Sequence, residues 1–344
     1  MGTGAVPRGG REHVMDLTTT YLGLELRNPL VASAGPLTST AEGIRALADA
    51  GVGAVVLPSV FEEQLRRASD RDSALASAGM ESQPEAASYL PGLTFDAWPH
   101  EHLRVLEKTA GSVGIPVIAS LNGVTAGGWT DYAGALQEAG AAAIELNVYY
   151  LPGDPLLSAR AAEIGYAEML TRVKAAVSIP VAVKMAPYSG SPGETAFILD
   201  HAGADGLVLF NRFLQADIDP EALTVSAGFG LSSPAEAALP RAWISMLRGK
   251  VRCSLAASTG VETAADVAAY LLAGADVVMT TSALLRHGPG YAAELLDGLR
   301  GWMARKGFAA AEQARGLLSA QAGHAVPARV GYLSALQQAT RTFG

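Results

Sequence analysis

The sequence predicts an α/β protein, a (β/α)₈ TIM barrel with insertions at its C-terminal face. Eight short apolar runs alternate with stretches of helical periodicity, the pattern of a parallel sheet covered by helices. The apolar runs cover 29–33, 54–58, 116–121, 142–147, 181–185, 206–210, 253–257 and 276–280. The helical patterns cover 40–50, 100–110, 131–139, 159–176, 193–202, 234–248, 263–273 and 291–305. Eight such units fit a closed barrel better than an open sheet.

Repeated Ala-Gly steps mark the junctions from helix to strand. They occur at 50–53, 139–140, 202–205 and 273–276, and in each a glycine closes a helix shortly before the next strand. The recurrence of a glycine between helix and strand supports a repeated βα unit.

Two long, turn-rich stretches, 62–98 and 211–232, interrupt the repeat. Both follow strand C-termini, so we expect them to line or cover the functional face of the barrel. The predicted organisation is a disordered leader at 1–14, a barrel at 15–307 and a C-terminal helical tail at 308–344.

Composition excludes several classes of protein. The chain has 344 residues, 49% of them hydrophobic, which suits one large domain with a substantial core. Its formal net charge of −8 and the lack of a dense Lys/Arg run argue against nucleic-acid or anionic-membrane partners. The leader has no apolar core, and no apolar stretch reaches membrane-spanning length, so we expect a cytoplasmic protein.

Cysteine and histidine usage bears on redox and metal chemistry. A single cysteine, Cys253, excludes an intrachain disulfide and a Cys-ligated iron–sulfur cluster within this chain. The histidines show no metal-ligand spacing, so no metal site is expected. There is no dinucleotide fingerprint and no P-loop.

Small and hydroxyl residues follow the last two predicted strands. Ser258-Thr259-Gly260 follows the seventh strand and Thr281-Ser282 follows the eighth. In a (β/α)₈ barrel these two loops commonly bind phosphate through backbone N–H groups. The pair therefore predicts a phosphorylated cofactor or substrate.

A lysine lies inside the apolar run of the fifth strand. Lys184 stands in Val181-Ala182-Val183-Lys184-Met185, where burial of an unpaired charge is expensive. One interpretation is a positive charge beside a cofactor that gains electron density. The other is a structural ion pair with a neighbouring carboxylate such as Glu145.

Several short sequence motifs, taken in their order along the chain, resemble those of a known family. They are Asn28-Pro29 leading into ASAG, ELN in the fourth strand, VAVKMAPY in the fifth, and STGVET followed by TTSALLRHGP. This set is similar to the FMN-binding barrel of the dihydroorotate dehydrogenases, over roughly residues 17–299.

The resemblance implies an FMN site and assigns residues to it. It implies that Ser33, Ala34 and Gly35 line the isoalloxazine, with Lys184 beside its N1/O2 edge, where it stabilises the reduced anionic form. The polar edge of the ring would be bonded by Ser59, Asn122 and Asn147. The phosphate would be held by Thr259, Gly260, Thr281 and Ser282.

The chain departs from the family pattern at the positions that, in the family, bind the substrate or act as the catalytic base. The loop after the fourth strand usually carries a Cys or Ser base, and here Tyr150 occupies that position, next to Tyr149. A family lysine after the second strand aligns with Pro58, and the pair after the sixth strand is Asn211-Arg212. These features resemble a divergent, dihydroorotate dehydrogenase-like subgroup with a rebuilt substrate site.

The rebuilt site leaves two residue roles open. Tyr150 is either a catalytic acid, because a phenol of pKa about 10 is mostly protonated at neutral pH, or a packing residue. Arg212 either binds a substrate carboxylate or phosphate, together with Asn211 and Tyr149, or pairs with Asp217 or Asp219.

The expected function is an FMN-dependent oxidoreductase acting on a small anionic substrate, with CH–CH donors favoured. The alternatives are a genuine dihydroorotate dehydrogenase of pyrimidine biosynthesis with an altered base, and a flavin-binding or non-catalytic partner subunit of a redox complex. A redox partner protein and a homo-oligomer are expected.

Overall fold

Eight parallel strands close into a barrel, which confirms the predicted fold. A computed structural model describes residues 15–68, 98–123, 130–147, 158–212, 215–228, 230–320 and 328–343. The strands are β1 (Thr19–Tyr21), β2 (Leu24–Leu26), β3 (Leu30–Ala32), β4 (Ala54–Val56), β5 (Val60–Phe61), β6 (Val117–Asn122), β7 (Ala143–Asn147), β8 (Val181–Met185), β9 (Gly206–Leu209), β10 (Gln215–Asp219), β11 (Thr224–Gly228), β12 (Ser254–Ala257) and β13 (Val277–Thr280). The ring runs β3-β4-β6-β7-β8-β9-β12-β13 and returns to β3, and the short β5 pairs with β6.

Helices follow the barrel strands, and most of them cover the outside of the ring, whereas the last helix is largely exposed. They are α1 (Ala41–Asp49), α2 (Trp98–Ala110), α3 (Thr130–Glu138), α4 (Ala159–Ala176), α5 (Pro192–His201), α6 (Ala238–Leu247), α7 (Ala264–Ala273), α8 (Ser282–His287), α9 (Tyr291–Lys306), α10 (Ala311–Ala314) and α11 (Ala328–Phe343). The start of α7 shows how the sequence fixes them. Thr263 Oγ1 accepts from the Asp266 N–H, and the Asp266 carboxylate accepts from the Thr263 N–H at 2.9 Å, which forms a capping box.

A two-stranded hairpin, β1–β2, closes the amino end of the barrel. Tyr21, Leu22 and Leu26 are buried among the inward-facing side chains of the ring. The turn has φ of 55° at Leu22 and 76° at Gly23, the left-handed pair that a two-residue hairpin turn requires. The sequence pattern predicted a strand-like segment that begins at Met15, but it did not predict the β1–β2 hairpin that plugs the barrel. Strands of three residues carry too little periodicity to be recognised.

Strand periodicity sorts side chains between two cores. Val181, Val183 and Met185 of β8 face the helices, whereas Ala182 faces the barrel interior. On β7, Ile144 and Leu146 face the helices in the same way, and Ala143 faces the interior. The alternation of side chains therefore places Lys184 on β8 and both Glu145 and Asn147 on β7 inside the barrel. The interior is apolar at its amino end and polar toward its carboxyl end.

The two predicted insertions differ in what can be described. Stretch 211–232 contains the antiparallel hairpin β10–β11. Stretch 62–98 lies mostly outside the described residues, and its first residues, 62–68, are helical. The predicted leader, 1–14, lies outside the described residues altogether.

The segment after α9 is joined to the amino end of the barrel. Arg315 Nη1 donates to Asp276 Oδ1 at 2.9 Å, and the Asp16 N–H donates to the Ala309 carbonyl at 2.9 Å. α11 lies within the stretch predicted as a helical tail. Among the helices described, none combines the length and apolar composition needed to cross a membrane.

Candidate active site

A cavity of about 210 Å³ opens at the carboxyl end of the barrel. It lies where β3, β8, β9, β12 and β13 end, which is the functional face of this architecture. Residues predicted from the sequence that line it are Ser33, Ala34, Lys184, Asn211, Arg212, Thr259, Gly260, Thr281 and Ser282. The structure thus brings together residues from five separate strand ends.

Lys184 is a buried cation in the cavity wall. Its side chain is 8% exposed, and Nζ lies 3.2 Å from Glu145 Oε1 and 3.4 Å from Ser33 Oγ. An ammonium has three N–H donors, and these are the two partners of Lys184 among the described residues, so one donor is left for a ligand in the cavity. Lys184 therefore pairs with Glu145, as one interpretation had it, and it also lines the cavity in which the other interpretation would place a cofactor.

A second polar layer lies beside the lysine. Asn211 Nδ2 donates to Asn147 Oδ1 at 3.0 Å, which ties the end of β9 to the end of β7. Asn147 is opposite both Asn122 and Lys184 in the strand register. These amides extend the polar surface from the lysine toward β6.

The loop after β12 forms a cradle of backbone groups. Thr259 and Gly260 both have positive φ, 79° and 73°, which turns the chain sharply at the strand end. Tyr270 OH donates to the Thr259 carbonyl at 2.7 Å and holds this turn from below. Burial raises the pKa of Tyr270, so its hydroxyl stays a neutral donor.

Ser232 joins three loops at this cradle and was missed by the sequence reasoning. Its N–H and its Oγ each lie 2.9 Å from Ser282 Oγ, and its Oγ accepts from the Gly260 N–H at 3.3 Å. The Ser232 carbonyl accepts from Arg286 Nη2 at 2.7 Å. The available signal was the hydroxyl pair 232–233 before Pro234, but its meaning depends on contacts more than 25 residues away.

Four predicted site residues do not line this cavity, although two of them neighbour residues that do: Gly35, Ser59, Asn122 and Asn147. A Cβ on Gly35 would lie 2.5 Å from Thr281 Cγ2, so glycine is what lets β3 and β13 approach here. Ser59 Oγ, between β4 and β5, contacts Ser120 Oγ of β6 at 2.7 Å. Tyr149 and Tyr150 lie outside the described residues.

Arg212 lines the cavity but has a different ion-pair partner from those considered. Arg212 Nε lies 3.0 Å from Glu236 Oε2, and Nη1 donates to the Gly230 carbonyl. The proposed pairing with Asp219 is wrong, because Asp219 instead accepts from the N–H groups of residues 221 and 222 and so caps the β10–β11 turn. The Asp217 side chain lies outside the described residues. The sequence could not point to Glu236, which is 24 residues away in the chain.

The geometry allows a test of whether a flavin mononucleotide fits. Backbone N–H groups and hydroxyls converge at the ends of β12 and β13, which suits a phosphate. Lys184 presents a fixed cation beside small residues at the end of β3, which suits a planar ring that gains negative charge. The donor set fits the group. No cluster of metal-ligating side chains occurs among the residues described.

Fold and site define a (β/α)₈ barrel with a cavity at its carboxyl end, lined by hydroxyl-bearing residues and a buried lysine. The chain belongs to the dihydroorotate dehydrogenase family, whose model matches residues 16–303. This confirms the resemblance seen in the sequence. Members of the family are flavin-dependent oxidoreductases that act on CH–CH donors and generally bind FMN, and this chain is an oxidoreductase related to dihydroorotate dehydrogenase.

Relatives include proteins named for more than one activity. A putative dihydroorotate dehydrogenase A (fumarate) of Aeropyrum pernix is 29% identical over 300 residues, covering 85% of this chain and 94% of that protein. A dihydroorotate dehydrogenase B (NAD(+)) catalytic subunit of Methanocella arvoryzae is 30% identical over 278 residues, covering 78% and 87%. The NAD-dependent dihydropyrimidine dehydrogenase subunit PreA of Escherichia coli is 25% identical over 326 residues, covering 88% and 76%.

Proposed function

We propose that this chain binds FMN in the cavity at the carboxyl end of the barrel and oxidises a CH–CH bond of a small anionic molecule. The observation that carries the proposal is Lys184, a buried ammonium with one N–H donor left for the cavity. Bound FMN would supply a two-electron acceptor. Ser33, Ala34 and Gly35 would flank its ring, and Thr259, Gly260, Thr281 and Ser282 would hold its phosphate.

The chain's own residues would prepare the site for that chemistry. Lys184 would place positive charge where negative charge develops, which stabilises the reduced cofactor. Asn147 and Asn211, fixed to each other at 3.0 Å, would offer amide groups to the polar edge of the ring. Tyr150 remains the candidate acid in the loop after β7, at the position where the family has its base.

Purified protein is expected to be yellow and to release FMN on denaturation. The measurement is the flavin spectrum before and after heat release, with cofactor identity set by chromatography. The loaded protein is expected to turn over dihydroorotate far more slowly than the roughly 1–10³ per second usual for enzymes, because Tyr150 stands at the base position. A colourless protein that does not take up added FMN would refute the cofactor proposal. Rapid dihydroorotate turnover would instead favour a dihydroorotate dehydrogenase with an altered base.

Arg212 gives the substrate proposal a specific test. Its guanidinium lines the cavity, but Glu236 offsets its charge. Glu236→Gln is expected to tighten the binding of small dicarboxylates about tenfold, and Arg212→Ala to weaken it, because one charge-assisted contact contributes about 1.5–3 kcal/mol. The measurement is the change in flavin absorbance during titration of the loaded protein.

Asp219→Asn is the matched control for that titration, since Asp219 caps a turn and does not pair with Arg212. Equal affinities for the wild type, Glu236→Gln and Arg212→Ala would show that Arg212 has only a structural role. In that case the proposal of an anionic substrate would lose its support, whereas the proposal of an FMN site would be unaffected.

Partners and location follow as further proposals. Two of the relatives above are named as a catalytic subunit and as a subunit of an NAD-dependent enzyme. We propose a redox partner protein, a homo-oligomeric barrel and a cytoplasmic location for this chain.

A further inference from the structure

The carboxylate that holds Lys184 is itself poorly satisfied. Glu145 is 1% exposed, and only its Oε1 has a partner, Lys184 Nζ at 3.2 Å. Within the described part of the chain, Glu145 Oε2 is buried and has no hydrogen-bond partner. A carboxylate can accept several hydrogen bonds, so this one has hydrogen-bonding capacity that the described residues around it leave unused.

Stability does not explain why the barrel keeps this carboxylate. Replacing a buried ion pair by apolar residues of similar volume is often neutral or stabilising. The barrel interior below Glu145 is already apolar, with Ile118 and Ala143 among its inward-facing residues. From below, burial and the charge of Glu145 raise the pKa of Tyr21, so the phenol stays neutral and adds no charge of its own.

The position of Glu145 connects it to the cavity. It lies on the same face of β7 as Asn147, two residues earlier, which is roughly 6.6 Å farther down the strand. Lys184 lines the cavity, and Glu145 contacts Lys184 from the side away from the cavity. A negative charge directly behind the ammonium reduces the positive potential that the ammonium exerts in front of it.

We infer that Glu145 is a positioning residue that fixes the Lys184 ammonium and lowers the reduction potential of the flavin bound above it. The inference rests on the proposed FMN site. Two-electron reduction with uptake of one proton leaves the flavin ring with one negative charge, whose stability depends on the net charge nearby. The Lys184–Glu145 unit is close to neutral, whereas Lys184 alone would be a full cation.

The test is the two-electron midpoint potential of the loaded protein, measured by titration with dithionite against a reference dye. Glu145→Gln removes the charge and keeps an oxygen that can accept from Lys184. Its ratio of affinities for reduced over oxidised FMN is expected to rise at least tenfold, a shift of about +30 mV for a two-electron couple. Glu145→Asp keeps the charge but withdraws it from Lys184, so a smaller shift in the same direction is expected.

Glu163→Gln is the matched control. Glu163 is another buried glutamate, 4% exposed, and its Oε1 accepts from Thr195 Oγ1 at 3.0 Å between α4 and α5. Glu163 does not line the cavity, and its hydrogen bond is to Thr195 and not to Lys184. Its substitution repeats the loss of a buried carboxylate and is expected to leave the potential unchanged.

The outcomes separate this inference from the function on which it rests. If the wild type holds FMN and both Glu145 variants keep its potential, the inference is overturned and the cofactor site stands. If Glu145→Gln does not fold, Glu145→Asp decides alone, since a rise supports the inference and no change overturns it. If the wild type takes up no FMN, the proposed function falls and the inference falls with it.

Discussion

Lys184→Met is expected to lower the free energy of unfolding of the cofactor-free protein by about 3–5 kcal/mol, because it leaves the Glu145 carboxylate buried without its cation. Glu145 is 1% exposed and has no second ion-pair partner among the described residues. Neither water nor another cation can therefore stabilise its carboxylate in place of Lys184. The variant is also expected to lose most of its affinity for FMN. The measurements are urea unfolding of the cofactor-free protein and flavin-fluorescence titration.

The double variant Lys184→Met/Glu145→Gln separates the two effects. With both charges removed, the unfolding free energy is expected to recover by more than half, since a neutral buried pair avoids the uncompensated charge. FMN affinity is expected to stay low, because the cation is still missing. If the double variant were as unstable as Lys184→Met, the buried carboxylate would not be the cause of the instability.

Gly260→Ala is expected to cost about 2–4 kcal/mol of unfolding free energy and to abolish tight FMN binding. A Cβ there would lie 2.7 Å from the Ala237 backbone N and 2.9 Å from the Ser233 carbonyl oxygen, and the residue has φ of 73°. The clash would push the loop after β12 away from the segment 233–237. The measurements are the same unfolding and titration experiments.

Gly307→Ala controls for backbone strain alone. Gly307 has φ of 77°, nearly the same as Gly260, but a Cβ there would meet nothing within 4 Å. It caps the end of α9, away from the cavity. A cost of about 1–2 kcal/mol is expected, with FMN affinity unchanged. Equal effects for the two substitutions would mean that strain, and not the collision with Ala237, accounts for the loss.

Predictions that rest on local periodicity were the accurate ones. The apolar run 181–185 forms a buried strand that carries Lys184, and the residues after β12 and β13 do line one cavity. Carboxyl ends of parallel strands share one edge, so the order of elements along the chain was enough to bring Ser33, Lys184 and Thr259 together.

Features set by contacts between distant residues were not predicted. The β1–β2 plug depends on apolar residues from several barrel strands, and Ser232 acquires its position from Gly260 and Ser282. Arg212 had acidic neighbours at 217 and 219 in the sequence, yet the folded loop gives it Glu236. Proximity in sequence is a poor guide to ion pairs in long loops, because the loop path decides which charges meet.

The sequence by itself determined the barrel, the face on which the site lies and the family to which the chain belongs, because strand and helix periods and strand-end residues are local properties. Only the tertiary structure decided how the charges of that site are balanced. It selected Glu145, which the sequence had offered only as one possibility, as the partner of Lys184, and it gave Arg212 the unforeseen Glu236, so each cation that lines the cavity has its own carboxylate. The physical reason is that an ion pair depends on distances of a few ångströms between side chains from different strands and loops, which no single stretch of sequence specifies.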